Sequence, residues 1–191
     1  MTRLLYCYNP APEYDERRRE SERWIQEINK YIQVVKQPCT GIRDYPNCVK
    51  EVWGESNLII LEQDIVPPMR PIQALQDMLL FIGEYDLVSW RYKLYPISTA
   101  LVNPVYAHRI WEEHDRAGRR LRWIETTDFK ADYVGLGFAG ISLRVQRMIP
   151  RELFDSVPTW KDVDSCLSEW TQQKLHMQWY VPAMECKHNH K

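Results

Sequence analysis

The sequence predicts an α/β fold, a mostly parallel central sheet flanked by helices. Two observations carry the prediction. Short apolar runs and segments of helical spacing take turns from Met1 to Trp90, which calls for right-handed crossovers with helices on both faces. The run NLIIL, Asn57 to Leu61, is nearly all apolar, as a central strand buried on both faces must be. With 191 residues, 45% hydrophobic and 12% aromatic, the chain fills one core and falls short of two full domains.

The elements follow in order. Arg3 to Tyr8 reads as a strand stopped by Asn9-Pro10. Glu13 to Asn29 is charged, with Trp24, Ile25 and Ile28 at helical spacing, so it reads as a helix with one narrow buried face. Its Arg17-Arg18-Arg19 run reads as a solvated face. Tyr31 to Val35 is a strand, and Arg43 to Gly54 a helix with Val49, Val52 and Trp53 inward. The Asn57 to Leu61 strand runs into Glu62-Gln63-Asp64. After Pro67, Pro68 and Pro71, a helix from Ile72 to Gly83 puts Ile72, Leu75, Leu79 and Ile82 on one side. Tyr85 to Trp90 is a strand. In the second half, Pro104 to Ala117 reads as a helix, Gly140 to Leu143 as a strand, Asp162 to about Lys174 as a helix and Gln178 to Val181 as the last strand.

Composition removes several classes. The net charge of −1 gives no broad footprint for duplex nucleic acid. No apolar run reaches the roughly 18 residues of a membrane span, and no secretory leader is recognisable. Five dispersed cysteines, never spaced C-x-x-C, argue against a disulfide scaffold and for a reducing cytoplasm. No phosphate-binding G-x-x-x-x-G-K-[ST] and no G-x-S-x-G occurs.

Ligands of open α/β sheets sit beyond the carboxyl ends of the strands. Asn9 and Glu62 to Asp64 both lie at such ends, so they are expected to converge on one cleft. Two charges leaving a greasy strand need water, a cation or a basic partner. On an extended segment, residues i and i+2 point the same way, so Glu62 and Asp64 are expected to face one spot. Such oxygen donors suit Mg²⁺ or Mn²⁺ with phosphate oxygens completing the shell, although a surface turn carries the same residues. His188 and His190 repeat the i, i+2 spacing at the C-terminus, as a solvated tail or as late metal ligands. Asp162 and Asp164 fit the first turn of a helix, where Asp caps well. A carboxylate there can also take a proton from an incoming hydroxyl.

Read together, LEQDIVP at 61–67, GLGFAGISLR at 135–144, WKDVD at 160–164 and KHNH at 187–190 resemble the inverting, nucleotide-sugar-dependent glycosyltransferases of the GT-A fold, a Rossmann-type α/β domain. The resemblance spans nearly the whole chain. It implies residues 1–90 as a nucleotide- and metal-binding half and 91–191 as an acceptor and catalytic half. It implies Asp64 as the main metal ligand, for Mn²⁺ or Mg²⁺, with Glu62 on the ribose or the metal through water. His188 or His190 would be the late metal ligand. Asp162 takes the place of the general base, and Asp164 supports it or binds acceptor. Gly135, Leu136, Gly137, Phe138 and Trp160 form the wall where donor and acceptor meet. Tyr8, Asn9 and Pro10 line the base pocket, and Arg43 and Asp44 are further nucleotide contacts. The partners implied are a nucleoside-diphosphate sugar and an acceptor selected by the loops around 91–131.

The chain departs from the family pattern in two places. Glu62 replaces the commoner Asp, and Lys161 stands where many members carry Glu. A lysine there lowers the pKa of Asp162 and weakens it as a base. Two other classes compete: a nucleotidyltransferase of related α/β architecture, whose Gly-rich basic loop Tyr8 to Ala11 matches poorly, and a non-catalytic binding or interaction protein.

Overall fold

In a computed structural model of the chain, the described residues are 2–41, 43–67, 70–94, 105–106, 129–131, 134–158 and 163–189. The first strand, β1 (Thr2–Tyr8), is followed by a 3-10 turn at Pro12–Tyr14, helix α1 (Asp15–Ile28) and strand β2 (Gln33–Pro38). Helix α2 (Tyr45–Val52) leads to β3 (Asn57–Glu62) and, after a two-residue turn, to β4 (Ile65–Val66). Helix α3 (Pro71–Tyr85), β5 (Leu87–Ser89) and β6 (Arg91–Leu94) complete the alternating half. The second half supplies β7 (Val105–Tyr106), β8 (Phe129–Ala131), β9 (Phe138–Ile141), α4 (Leu143–Gln146), a 3-10 turn (Arg151–Ser156), α5 (Val163–Leu175), β10 (Trp179–Val181) and β11 (Glu185–His188).

Seven strands form the main sheet in the order β2-β1-β3-β9-β5-β10-β8. β1, β2, β3, β5 and β10 run one way, whereas β9 and β8 run the other. The expectation of a mostly parallel sheet holds, with one strand of the second half inserted between β3 and β5. The two halves therefore share one sheet. A smaller sheet, β4-β11-β6-β7, sits where β3 and β5 hand the chain on.

The core has two layers, one on each face of the main sheet. Leu58 and Ile60 of β3 join Val49, Val52 and Trp53 of the α2 region and Val163 and Leu167 of α5. Ile59 and Leu61 face the other way, toward Trp24, Ile25 and Ile28 of α1 and Leu75, Met78 and Ile82 of α3. Strict alternation in a strand apolar at almost every position is what two covered faces require. Trp53 donates its indole N–H to the Gln146 carbonyl at 3.1 Å, and the Gln146 side chain in turn accepts from Gly54 N and donates to Ser56 and Ile141 carbonyls.

Several elements differ from the sequence reading, each for a local reason. α3 buries Ala74, Leu75, Met78 and Ile82, leaving Ile72 and Leu79 half-exposed. Gly140 of β9 lies so close to α3 that a Cβ there would come within 2.6 Å of Ile82 and Met78, so this contact fixes which face turns inward. Val105 and Tyr106 pair antiparallel with β6 instead of opening a helix at Pro104, and the rest of that segment lies outside the described residues. β9 begins at Phe138 and Leu143 already belongs to α4, because Ser142 caps it by accepting from Val145 N.

Candidate functional site

A cavity of about 320 Å³ opens at the carboxyl ends of β1 and β3, lined by Cys7, Tyr8, Asn9, Cys39, Gly41, Tyr45, Glu62, Gln63, Asp64 and Asp164. Its lining holds three carboxylates and, among the described residues, no lysine, arginine or histidine. The two distant strand ends do converge on one cleft. Gln63 ties them together: its N–H donates to the Cys7 carbonyl at 3.1 Å, and its Oε1 accepts from Asn9 N at 2.7 Å. Asn9 Oδ1 accepts from Ala11 N at 3.0 Å, which shapes the loop after β1.

The acidic strand end is not extended through Asp64. β3 stops at Glu62, and the turn at Gln63-Asp64 sends the two carboxylates to different neighbours. Glu62 goes toward Tyr45 and Asp164. Desolvation, with the Asp164 and Asp64 charges beside it, pushes the Glu62 carboxyl above the usual carboxylate range. Burial first, then the Glu62 carboxyl, raises the Tyr45 phenol as well. Asp64 instead faces β11. His188 Nε2 lies 3.2 Å from Asp64 Oδ2, and Asn189 N donates to the Asp64 carbonyl at 2.7 Å. The pairing of β11 with β4, His188 opposite Ile65, places the ring there. Tyr92 packs edge-on against it at 5.4 Å.

Asp164 sits in the first turn of α5, and its Oδ2 accepts from Leu136 N at 3.1 Å. The glycine-rich segment thus meets the cleft through backbone. Its apolar side chains do not form a wall: Leu136 and Phe138 are wholly buried, and Phe138 packs edge-on against Trp24 and Trp90. The Gly135 carbonyl accepts from Ser89 Oγ at 2.7 Å. Gly137 must be glycine, because a Cβ would lie 2.7 Å from the Tyr92 ring and 2.9 Å from Ile65.

Tyr8 and Asn9 line the cavity, whereas Pro10 is exposed and Arg43 and Asp44 are not part of the lining. Asp44 is turned to Thr40, accepting from its backbone N at 3.0 Å and from its hydroxyl, and these bonds hold its carboxyl below the usual range. Trp160, Asp162 and His190 lie outside the described residues, as does most of 91–131.

Three contributors are not visible in the sequence. Gln63 stands between two acids that draw the eye instead. Tyr45, at the start of α2, lines the cavity. Arg18, one of a run that reads as solvated, is largely buried. It donates to the Asn9 carbonyl, pairs with Asp15 and Glu22, and stacks over Tyr8 at 5.9 Å.

Among the described residues no group of three or more His, Cys, Asp or Glu is arranged to hold a metal, and no helix is long and apolar enough to cross a membrane. All five cysteines are free thiols.

No protein-family model matches the chain, and no curated protein matches it. Among solved structures, the protein A197 from STIV is similar with a TM-score of 0.60 at 16% identity, over 100% of this chain and 87% of that one. A putative glucose-1-phosphate thymidylyltransferase from Bacillus anthracis, solved in complex with a sucrose, has a TM-score of 0.52 at 5% identity, over 98% of this chain and 89% of that one. At such identities the likeness is one of fold.

Proposed function

We propose that the chain is a metal-dependent glycosyltransferase that moves a sugar from a nucleoside-diphosphate sugar to an acceptor hydroxyl, with inversion. The observation that carries this reading is the contact of Asp64 with His188 beside a cavity whose charged lining, among the described residues, is acidic. A diphosphate entering among Glu62, Asp64 and Asp164 meets like charge, so its binding calls for a divalent cation. The donor set fits one. A carboxylate beside an imidazole favours Mn²⁺ over Mg²⁺, which prefers oxygen donors alone, and two protein ligands leave positions for phosphate and water. A bound cation would act as a Lewis acid toward the leaving diphosphate.

The remaining roles are assigned to this chain's own groups. Tyr8 and Asn9 flank the base, and Glu62 faces the ribose. Asp162 takes the proton of the acceptor hydroxyl as its oxygen attacks the anomeric carbon and the bond to the diphosphate oxygen breaks. Asp164, tethered to Leu136 N, supports that base or holds the acceptor. Gly135 and Gly137 contribute backbone beside the sugar, and Trp160 its ring. The free thiols fit a cytoplasmic setting.

The test is thermal shift with a panel of nucleoside diphosphates, with and without Mn²⁺, on the wild type and Asp64→Ala. A ligand bound by the native state alone raises the midpoint by mass action. A Mn²⁺-dependent rise with one nucleotide, lost in D64A, supports the reading and selects the activated sugars to assay for transfer. D162A is then expected to lose kcat while keeping nucleotide affinity. No shift with any nucleotide overturns the reading. Pyrophosphate release from a nucleoside triphosphate and a sugar 1-phosphate would favour a nucleotidyltransferase instead.

A further inference from the structure

Three of the five thiols meet at one wall of the cavity, brought there by separate elements. Cys7 lies near the end of β1, Cys39 directly follows β2, and Cys48 belongs to α2. Cys7 and Cys39 line the cavity, and Cys39 is half-buried, whereas Cys7 and Cys48 are buried. The Cys39 and Cys48 thiols are in hydrogen-bond contact with each other, and Cys48 also contacts Cys7. Each of the first two reaches a backbone carbonyl as well, Cys39 that of Gly41 at 3.4 Å and Cys48 that of Pro38 at 3.7 Å. The connection between them is tied in place. Cys39 N donates to the Tyr8 carbonyl at 2.7 Å, Thr40 N to Asp44 Oδ2 at 3.0 Å, and Cys48 N to the Asp44 carbonyl at 3.1 Å.

We infer that Cys39 and Cys48 are a site of oxidative modification, at which a low-molecular-weight disulfide is reduced and an intrachain disulfide forms in the cavity wall. The inference does not depend on what the cavity binds. Cys39, open to the cavity, loses its proton and attacks one sulfur of the small disulfide. That S–S bond breaks, and the first thiolate leaves and takes up a proton. Cys48 then loses its proton and attacks Cys39 Sγ of the mixed disulfide, releasing the second small thiol. Two protein thiols are oxidised while one small disulfide becomes two thiols, so the electrons balance. The second attack needs no opening to solvent, because Cys48 already touches Cys39. Thiols in contact have little distance to cover to a bond of about 2.05 Å. Both are held protonated at neutral pH. The Cys48 contact, then burial, raises the Cys39 thiol, and the Cys39 contact, opposed by Cys7 and burial, leaves Cys48 at about 11. Exchange is therefore slow, as suits a pair that follows a sustained change in thiol–disulfide balance and not a catalytic dithiol. In a reducing compartment the bridge is transient. While it lasts, it staples the segment that carries Gly41 and Tyr45 of the cavity lining.

The test incubates the folded chain with oxidised glutathione, alkylates the remaining thiols and maps tryptic peptides by mass. Arg43 lies between the two cysteines, so trypsin separates them and a bridge appears as a linked pair. The wild type is expected to lose two hydrogens, keep no glutathione and yield the Cys39–Cys48 pair, reversibly with dithiothreitol. Its thermal midpoint should rise on oxidation, because the bridge constrains the unfolded chain. Cys48→Ser should stop with glutathione on Cys39, Cys39→Ser should leave Cys48 unmodified, and Cys166→Ser should bridge as the wild type does. C48S replaces a buried thiol, so its melting transition is checked first, and without a cooperative one the wild-type map and C39S decide. Glutathione retained on Cys39 of the wild type overturns the inference. So does a bridge from either cysteine to a different one, or no modification under conditions that oxidise the unfolded chain. A bridge that leaves the midpoint unchanged overturns its part in holding the wall.

Discussion

Asp64 and His188, 124 positions apart, meet with Nε2 and Oδ2 at 3.2 Å because β11 returns to pair with β4 immediately after the acidic turn. The histidine is almost wholly buried and the aspartate largely so. One strand pairing thus sets both the fold of the C-terminus and the geometry of the candidate metal pair. His188→Ala is expected to weaken Mn²⁺-dependent nucleotide binding by at least about tenfold, the 1.4 kcal/mol step of a lost ligand. His188→Gln keeps a polar side chain and is expected to recover only part of it. Calorimetric titration of nucleotide at fixed Mn²⁺ reads both, and unchanged affinity in H188A would remove His188 from the site.

The close approach of Gly137 to Tyr92 and Ile65 makes a second expectation. Gly137→Ala forces a Cβ to 2.7 Å from an aromatic ring in a filled layer, and overpacking of this kind costs about 1–3 kcal/mol. Gly83 sits inside α3, exposed, with nothing within 4 Å of the place a methyl group would take. There alanine removes the helix penalty of glycine, so Gly83→Ala should gain about 0.5–1 kcal/mol. Urea denaturation of the two variants checks the pair: G137A below the wild type, G83A above it.

Much of this frame is legible in the sequence because periodicity reports burial directly. NLIIL fits only a strand covered on both faces, and Trp24, Ile25 and Ile28 mark a helix with one inward stripe. β9 is harder to place. Its four residues FAGI carry no direction, and nothing local says that a strand will run antiparallel between β3 and β5. Composition misplaces the face of α3, since Ala74 looks less apolar than Ile72 yet is wholly buried on the side that closes on Gly140, where only a close helix fits. The convergence of Asn9 with Glu62 to Asp64 follows from strand ends alone. The split of the two carboxylates does not, because the turn at Gln63 is set by bonds to Cys7 and Asn9 from another strand. Tyr45 sits on a helix whose inward side is apolar, and only its place in the cavity lining sets it apart.

Asp86 gives the fold a defined acid response. It follows α3 at φ +65°, accepts from Ser142 Oγ and pairs with Arg144. The Arg144 guanidinium holds its carboxyl below the ordinary value of 3.8. A carboxyl depressed in the folded state stabilises it above the unfolded pKa, and that contribution is lost as pH falls through the folded pKa. The loss is therefore expected below about pH 4, the ordinary aspartate pKa region. Asp86→Asn should be less stable than the wild type at neutral pH, and the gap should narrow as pH falls below that point. Thermal midpoints of both proteins from about pH 7 to about pH 2.5 test it across that region, and a gap independent of pH would assign the effect to the turn geometry instead of the charge.

The arginine run of α1 separates into unequal members. Arg18 is largely buried, donates to the Asn9 carbonyl and lies over the Tyr8 ring, so it braces the loop that lines one end of the cavity. Arg19, one position on, is exposed. Arg18→Ala removes a charge-assisted bond worth about 1.5–3 kcal/mol and a cation–π contact, and frees the loop after β1. It is expected to lower the thermal midpoint and, through the loosened Tyr8 and Asn9, to raise the nucleotide Kd. Arg19→Ala should change neither, within about 0.5 kcal/mol. If both variants keep wild-type affinity while R18A alone loses stability, Arg18 braces the fold and Tyr8 and Asn9 do not depend on it for their place in the site.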